Sequence, residues 1–123
     1  MPTTTQAPAP QRNWLAACGA LYCAAAVGLA AYAAHAAIAA GQSRLELAAV
    51  FAFGHGVALT ALSSSISRGP GRWALSLMAA GVLLFSGSLS GSVLVHWPTT
   101  LAPLGGMAMI AGWLVVAFTS LRT

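Results

Sequence analysis

The sequence has very little charge: only 5% of its 123 residues are Asp, Glu, Lys or Arg, and Glu46 is the single acid. In soluble domains about a quarter of the residues are charged. Here 59% of the residues are hydrophobic, more than a soluble fold of this length could bury. The composition therefore excludes an ordinary soluble domain and predicts an integral membrane protein whose first partner is the lipid bilayer.

Positive charge and cysteine are also sparse. The net charge of +4 comes from five arginines that occur singly, namely Arg12, Arg44, Arg68, Arg72 and Arg122. Because they form no basic run, the sequence predicts no nucleic-acid partner. The two cysteines, Cys18 and Cys23, lie on different sides of one predicted helix, which disfavours a disulfide between them.

Four apolar segments follow a polar tail at residues 1–13. A membrane-spanning helix needs about 20 predominantly apolar residues, and each segment has about that length. We predict an all-α, four-helix transmembrane bundle that forms a single domain over residues 14–122. The predicted spans are about 14–40, 47–66, 73–95 and 103–121, and polar turns at 41–46, 67–72 and 96–101 separate them.

The distribution of arginine predicts how the bundle is oriented. Four spans place both termini on one side, and that side collects every arginine except Arg44. The positive-inside rule then predicts that both termini are cytoplasmic, in a multi-pass protein of the bacterial inner membrane. Four tryptophans are predicted anchors at the membrane interface: Trp14, Trp73, Trp97 and Trp113.

Small residues are concentrated in the third and fourth predicted spans. Gly87 and Gly91 lie four residues apart and share a helix face, with Ser88 beside them. In lipid, small residues let two helices approach closely, and serine hydroxyls can hydrogen-bond across the contact. We predict helix packing at Gly28, Ser86, Gly87, Ser88, Gly91, Gly105, Gly106 and Gly112.

His35, Glu46 and His55 are the candidate functional polar residues, because an ionisable residue within a membrane is a functional candidate by default. The predicted first hairpin places both histidines in the outer half of the bundle, the half that faces away from the cytoplasm. His35 shares a stripe with the small residues Ala17, Ala24, Gly28 and Ala31. We expect this stripe to face other helices. For Glu46, we expect an ion pair with Arg44 or a location at the interface.

Three interpretations of the histidines are open. In the first, the histidines form structural hydrogen bonds. In the second, His35 and His55 relay protons or take part in transport of a small solute. In the third, they bind haem between helices. Two histidines without a third ligand at the same depth do not complete a metal site. The sequence places no acid where it could complete a Ser-His-acid catalytic triad for hydrolysis. We therefore predict no enzyme, no metal and no resident cofactor, with haem as the alternative.

Several short motifs are shared with a known family. They are Phe85-Ser86-Gly87-Ser88-Leu89, Pro103-Leu104-Gly105-Gly106, Gly112-Trp113 and, more loosely, the segment that ends at His35 and the Glu46-Leu47-Ala48 segment before His55. In these motifs the chain resembles the domain-of-unknown-function 423 family of small inner-membrane proteins, which are relatives of transmembrane protein 256. The family's tyrosines before the second histidine and after the serine motif are Gly54 and Ser90 here.

The resemblance implies a four-span membrane protein and no particular activity. The Gly and Ser faces then favour a structural or accessory subunit, which packs within its own bundle or against a larger membrane complex or a second copy. This is the predicted function, and the proton-relay and haem interpretations are its alternatives.

Overall fold

Four α-helices account for most of the chain in a computed structural model, which describes residues 1–7 and 9–122. They are α1 (Trp14–His35), α2 (Ala39–Leu62), α3 (Gly69–Leu94) and α4 (Ala102–Ser120). Each helix is long and apolar enough to cross a membrane, and the described residues contain no strand. The predicted all-α class with four membrane-spanning helices is confirmed.

The first hairpin turns earlier in the chain than predicted. α1 ends at His35 and α2 begins at Ala39, so residues 41–46 are helical and their prediction as a turn is wrong. Gly41 is the only helix-weakening residue among them, and it costs only about 1 kcal/mol relative to Ala. The Gln42 side chain donates to Glu46 Oε1 at 3.1 Å, an i,i+4 pair that supports the helix.

The other helix ends lie close to their predicted positions. Asn13 caps α1, because its Oδ1 accepts the Ala16 N–H at 3.1 Å. α3 begins at Gly69, a few residues before the predicted start, with a proline in its first turn where the missing N–H costs little. Within the predicted tail, Pro8 lies outside the described residues, and the other residues before Trp14 form no helix.

The chain folds as two helical hairpins that meet through α2 and α3. α1 packs mainly on α2 and α4 packs on α3, while α1 also touches α3. Among the described residues, the backbone of α4 does not come within 8 Å of α1 or α2. The central pair holds the fully buried side chains, which include Leu45, Leu59, Leu75, Met78 and Val82. The core therefore lies along α2 and α3, with α1 and α4 outside it.

Within each hairpin, a pair of glycines lets the two backbones touch. A methyl group on Gly19 would lie 2.5 Å from the Gly56 carbonyl oxygen, and one on Gly56 would lie 2.6 Å from the Gly19 carbonyl oxygen. Gly81 of α3 and Gly105 of α4 have the same reciprocal relation, at 2.8 and 2.6 Å. Such close packing is a main source of helix association in lipid, where no hydrophobic force drives the helices together.

Several of the predicted packing residues do contact neighbours. Gly105 touches α3, as described above, and Gly112 lies against Met78 of α3. Gly91 lies under the Trp97 ring, where a methyl group would come within 2.5 Å. Ser86 and Ser88 are buried, and the Ser86 hydroxyl donates to the Ala48 carbonyl of α2 at 2.9 Å.

The other predicted packing glycines do not mediate close contact. A methyl group on Gly28 or Gly87 would meet nothing within 4 Å, so neither glycine packs against another helix of this chain. A methyl group on Gly106 would meet only the Phe85 ring, at an ordinary contact distance of 3.9 Å. Gly87 lies about 120° around α3 from Gly81, the residue that faces α4, so the two point to different sides.

The glycine contact in the first hairpin can be tested with a matched pair of substitutions in α2. Gly56→Ala should lower the free energy of unfolding by about 1–3 kcal/mol, because the new methyl group collides with the α1 backbone. Gly54→Ala should leave it unchanged or raise it by up to about 1 kcal/mol, since that site is open and Ala favours helix. Unfolding by sodium dodecyl sulfate in mixed micelles measures both, and equal losses would contradict the contact.

Candidate functional site

His55 of α2 is half-buried and hydrogen-bonded at both ring nitrogens. Nδ1 lies 2.9 Å from the Phe51 carbonyl oxygen, and Trp113 of α4 donates its Nε1–H to Nε2 at 3.0 Å. A carbonyl oxygen only accepts and an indole N–H only donates. The two partners therefore select neutral imidazole with its proton on Nδ1.

Aromatic rings continue from this histidine across three helices. The rings of His55 and Phe51 stack, with centroids 5.9 Å apart and an interplanar angle of 14°. Phe51 in turn lies 4.8 Å from Phe85 of α3, and His55 lies 5.8 Å from Trp113 of α4. This row, which we call the aromatic row, consists of Phe85, Phe51, His55 and Trp113. It connects rings from α3, α2 and α4 through successive ring contacts.

The His55–Trp113 bond is a direct link between two helices whose backbones do not meet. Among the described residues, α2 and α4 stay more than 8 Å apart at every Cα pair. Trp113 lies about 16 Å into α4 by the helical rise, within the body of the span. The prediction of Trp113 as an interfacial anchor is wrong, because its N–H serves a partner inside the bundle.

The other three tryptophans lie near helix ends. Trp14 begins α1 and is 69% exposed, while Trp73 is near the start of α3 and 79% exposed. Trp97 follows α3 and is 62% exposed. These exposed positions suit the interfacial role predicted for them, since tryptophan is enriched at the level of the lipid headgroups.

The structure does not bring His35, Glu46 and His55 together. His35 is the last residue of α1 and is exposed, and Glu46 is exposed on α2 with Gln42 as its hydrogen-bond donor. Because α2 begins at Ala39, His55 lies about 24 Å along the helix from that end. The prediction that both histidines occupy the outer half is therefore wrong: His35 lies at one end of the bundle, and His55 lies nearer to the opposite end.

The chemistry of this site fits a structural hydrogen bond between two helices. A relay through Nε2 would need an acceptor there, and the indole of Trp113 has none to offer. Iron or another metal at Nε2 would have to displace the Trp113 bond, and the exposed His35 is too distant to be the second ligand of a haem. Within the described residues, no three His, Cys, Asp or Glu side chains lie close enough to hold a metal ion.

The sequence analysis misses the actual role of Trp113 in the site and of Tyr22 elsewhere in the bundle. It predicts Trp113 at the interface, although the Gly112-Trp113 motif could have suggested a close contact that positions the indole. Tyr22 was not singled out, yet its hydroxyl donates to the Ala79 carbonyl of α3 at 2.6 Å. The signal for Tyr22 was available, because a tyrosine inside an apolar helix needs a partner for its hydroxyl.

Comparison with known families gives one match. The sequence model described as "Protein of unknown function (DUF423)" matches residues 29–106, from the second half of α1 to the first turns of α4. The matched range covers well over half of the chain, contains His35, Glu46 and His55, and ends before Trp113. It confirms the family resemblance drawn from the motifs. No solved structure matches the chain.

The bond from Trp113 to His55 can be tested by replacing the indole with a smaller aromatic ring that has no donor. Trp113→Phe should lower the free energy of unfolding in mixed micelles by about 0.5–1.5 kcal/mol, because an aromatic side chain is kept while the N–H is lost. In a His55→Leu background the same substitution should have a smaller effect, since no acceptor is left. Trp73→Phe is the control at an exposed site, and an equal loss there would show that the bond contributes nothing.

Proposed function

This protein belongs to the DUF423 family of proteins of unknown function, and we propose that it is an accessory subunit which docks in the membrane through the uncovered face of α1. It is a small multi-pass membrane protein with four spans. The partner in this proposal is another transmembrane helix, from a larger membrane complex or a second copy. The proposal includes no catalytic step and no resident cofactor.

The observation that supports docking is the orientation of α1. Its small-residue stripe of Ala17, Ala24, Gly28 and Ala31 is exposed along its whole length. The expectation that this stripe and His35 face other helices does not hold within this chain, because α1 instead buries Gly19, Ala26 and Ala33. α1 is the helix with the smallest buried share of the four spans among the described residues.

The other outer helix, α4, exposes a face of a different kind. Its exposed side chains are large, with 51% to 65% exposure at Leu104, Met107, Ile110, Leu114 and Phe118. Large flexible side chains suit contact with lipid tails, whereas small residues on a helix surface allow a second helix to approach closely. α1 also exposes Leu21 and Val27, but most of its exposed residues are Ala or Gly, and this difference from α4 supports a helix partner for α1 and lipid for α4.

The glycine contacts inside the bundle are already formed. Gly19 with Gly56 and Gly81 with Gly105 join helices of the same chain, so these glycines are not available to a partner. Gly28 of α1 and Gly87 of α3 remain open. Docking therefore uses the α1 stripe in this proposal, and the open site on α3 provides a comparison.

The location is also part of the proposal. Asn13, Ser63 and Arg72 meet at one end of the bundle, which carries four of the five arginines. Under the positive-inside rule this end faces the cytoplasm, in the inner membrane of a bacterial cell. The proton-relay alternative gains no support, because His35 and His55 lie at different depths and the Nε2 partner of His55 cannot carry a proton onward.

Docking through α1 predicts that a larger side chain in the α1 stripe disrupts the assembly. Gly28→Leu should reduce the assembly to a single chain, because the larger side chain fills the stripe from a position where an added Cβ meets nothing within 4 Å. Gly87→Leu, at a site on α3 where an added Cβ also meets nothing within 4 Å, should leave the assembly intact. The mass of the purified protein in lipid nanodiscs measures both.

Two outcomes would overturn docking through α1. One is a wild-type protein that is a single chain in nanodiscs and carries no bound membrane protein. The other is loss of assembly in Gly87→Leu with retention in Gly28→Leu, which would place the contact on α3.

A further inference from the structure

The end of the bundle that carries the chain termini contains a polar cavity of about 220 Å³. Its lining comes from the N-terminal side of α1, the α2–α3 connection and α3, and consists of Gln11, Arg12, Asn13, Ser63, Ser64, Ser67 and Arg72. Arg12 and Arg72 are far apart in the sequence, so the absence of a basic run gave no sign of this cavity. The fold places the two arginines around one space.

Hydrogen bonds fix the walls of the cavity. Ser63 is only 2% exposed, and its hydroxyl accepts from Asn13 Nδ2 at 2.9 Å. The Ser63 carbonyl accepts from an Arg72 guanidinium nitrogen at 3.1 Å. Asn13 is held in turn by the Ala16 N–H at 3.1 Å. The first two bonds tie α1, α2 and α3 together at this end, so the cavity belongs to the folded bundle.

The cavity offers donors and positive charge. A guanidinium group has five N–H donors, and Arg72 uses one of them on Ser63. The Arg12 guanidinium carbon lies 5.9 Å from the Trp14 ring centre. Glu46 is the single acid of the sequence, and it lies about 25 Å along α2 from Ser63. The one acidic side chain of the sequence is therefore too distant to neutralise the two arginines.

We propose that this cavity binds a phosphate group, carried by an anionic lipid or by a small phosphate-bearing solute. Arginine pairs well with phosphate because its planar N–H groups match two phosphate oxygens, and hydroxyl groups of serine add further donors. The volume is several times the ~30 Å³ that one water molecule occupies, so a phosphate group fits. Trp14 and Trp73 lie exposed at this same end, which places the cavity near the headgroup layer.

The test measures binding of three probes to the full-length protein in a non-ionic detergent by isothermal titration. The probes are dihexanoyl phosphatidic acid, dihexanoyl phosphatidylcholine and inorganic phosphate. We expect phosphatidic acid to bind, and Arg12→Gln and Arg72→Gln each to weaken it by about tenfold or more. Arg122→Gln removes one charge at the same end from a residue outside the cavity, beside Phe118, and should change affinity by less than about twofold.

The three probes also identify the source of the phosphate. Tight binding of phosphatidic acid alone assigns the cavity to a lipid headgroup. Inorganic phosphate binding with the same dependence on Arg12 and Arg72 assigns it to a soluble ion. Equal weakening by Arg122→Gln, phosphatidylcholine binding as tight as phosphatidic acid, or no binding of any probe would overturn the proposal. If Arg72→Gln does not fold, the exposed Arg12 decides the result.

Discussion

A polar side chain in the hydrocarbon layer has to find its hydrogen-bond partner within the protein, because lipid tails offer none. In this bundle, that requirement joins one hairpin to the other. Tyr22 of α1 reaches α3, Ser86 of α3 reaches α2, and Trp113 of α4 reaches His55 of α2. Glycine contacts hold each hairpin closed, and these three hydrogen bonds connect one hairpin to the other.

Composition was sufficient to predict the fold. It was insufficient to predict the exact helix ends and the rotation of each helix, which position the side chains. Charge content and the lengths of the apolar runs predicted four spans. The first turn was misplaced because its polar residues 41–46 resemble a loop, although nothing in them stops a helix. The rotation of α1 was misjudged for a related reason: nearly every residue in it is apolar or small, so the sequence does not distinguish a buried side from an exposed one.

The candidate site was predictable only in part. His55 was recognised as an ionisable residue in a membrane span, but its depth followed the misplaced turn. Its partner Trp113 was missed because tryptophan in membrane proteins usually marks the interface. The cavity around Arg12 and Arg72 could not be predicted, since it depends on how the start of α1, the α2–α3 connection and α3 pack together at one end of the bundle.

The unequal lengths of the helices also bear on how the protein sits in a bilayer. By the helical rise, the 26 residues of α3 extend for about 39 Å and the 19 residues of α4 for about 28 Å. A hydrocarbon layer is about 30 Å thick, so α4 matches it while α3 exceeds it. α3 must tilt or extend beyond the layer, and hydrophobic mismatch of this kind sorts proteins between membranes of different thickness.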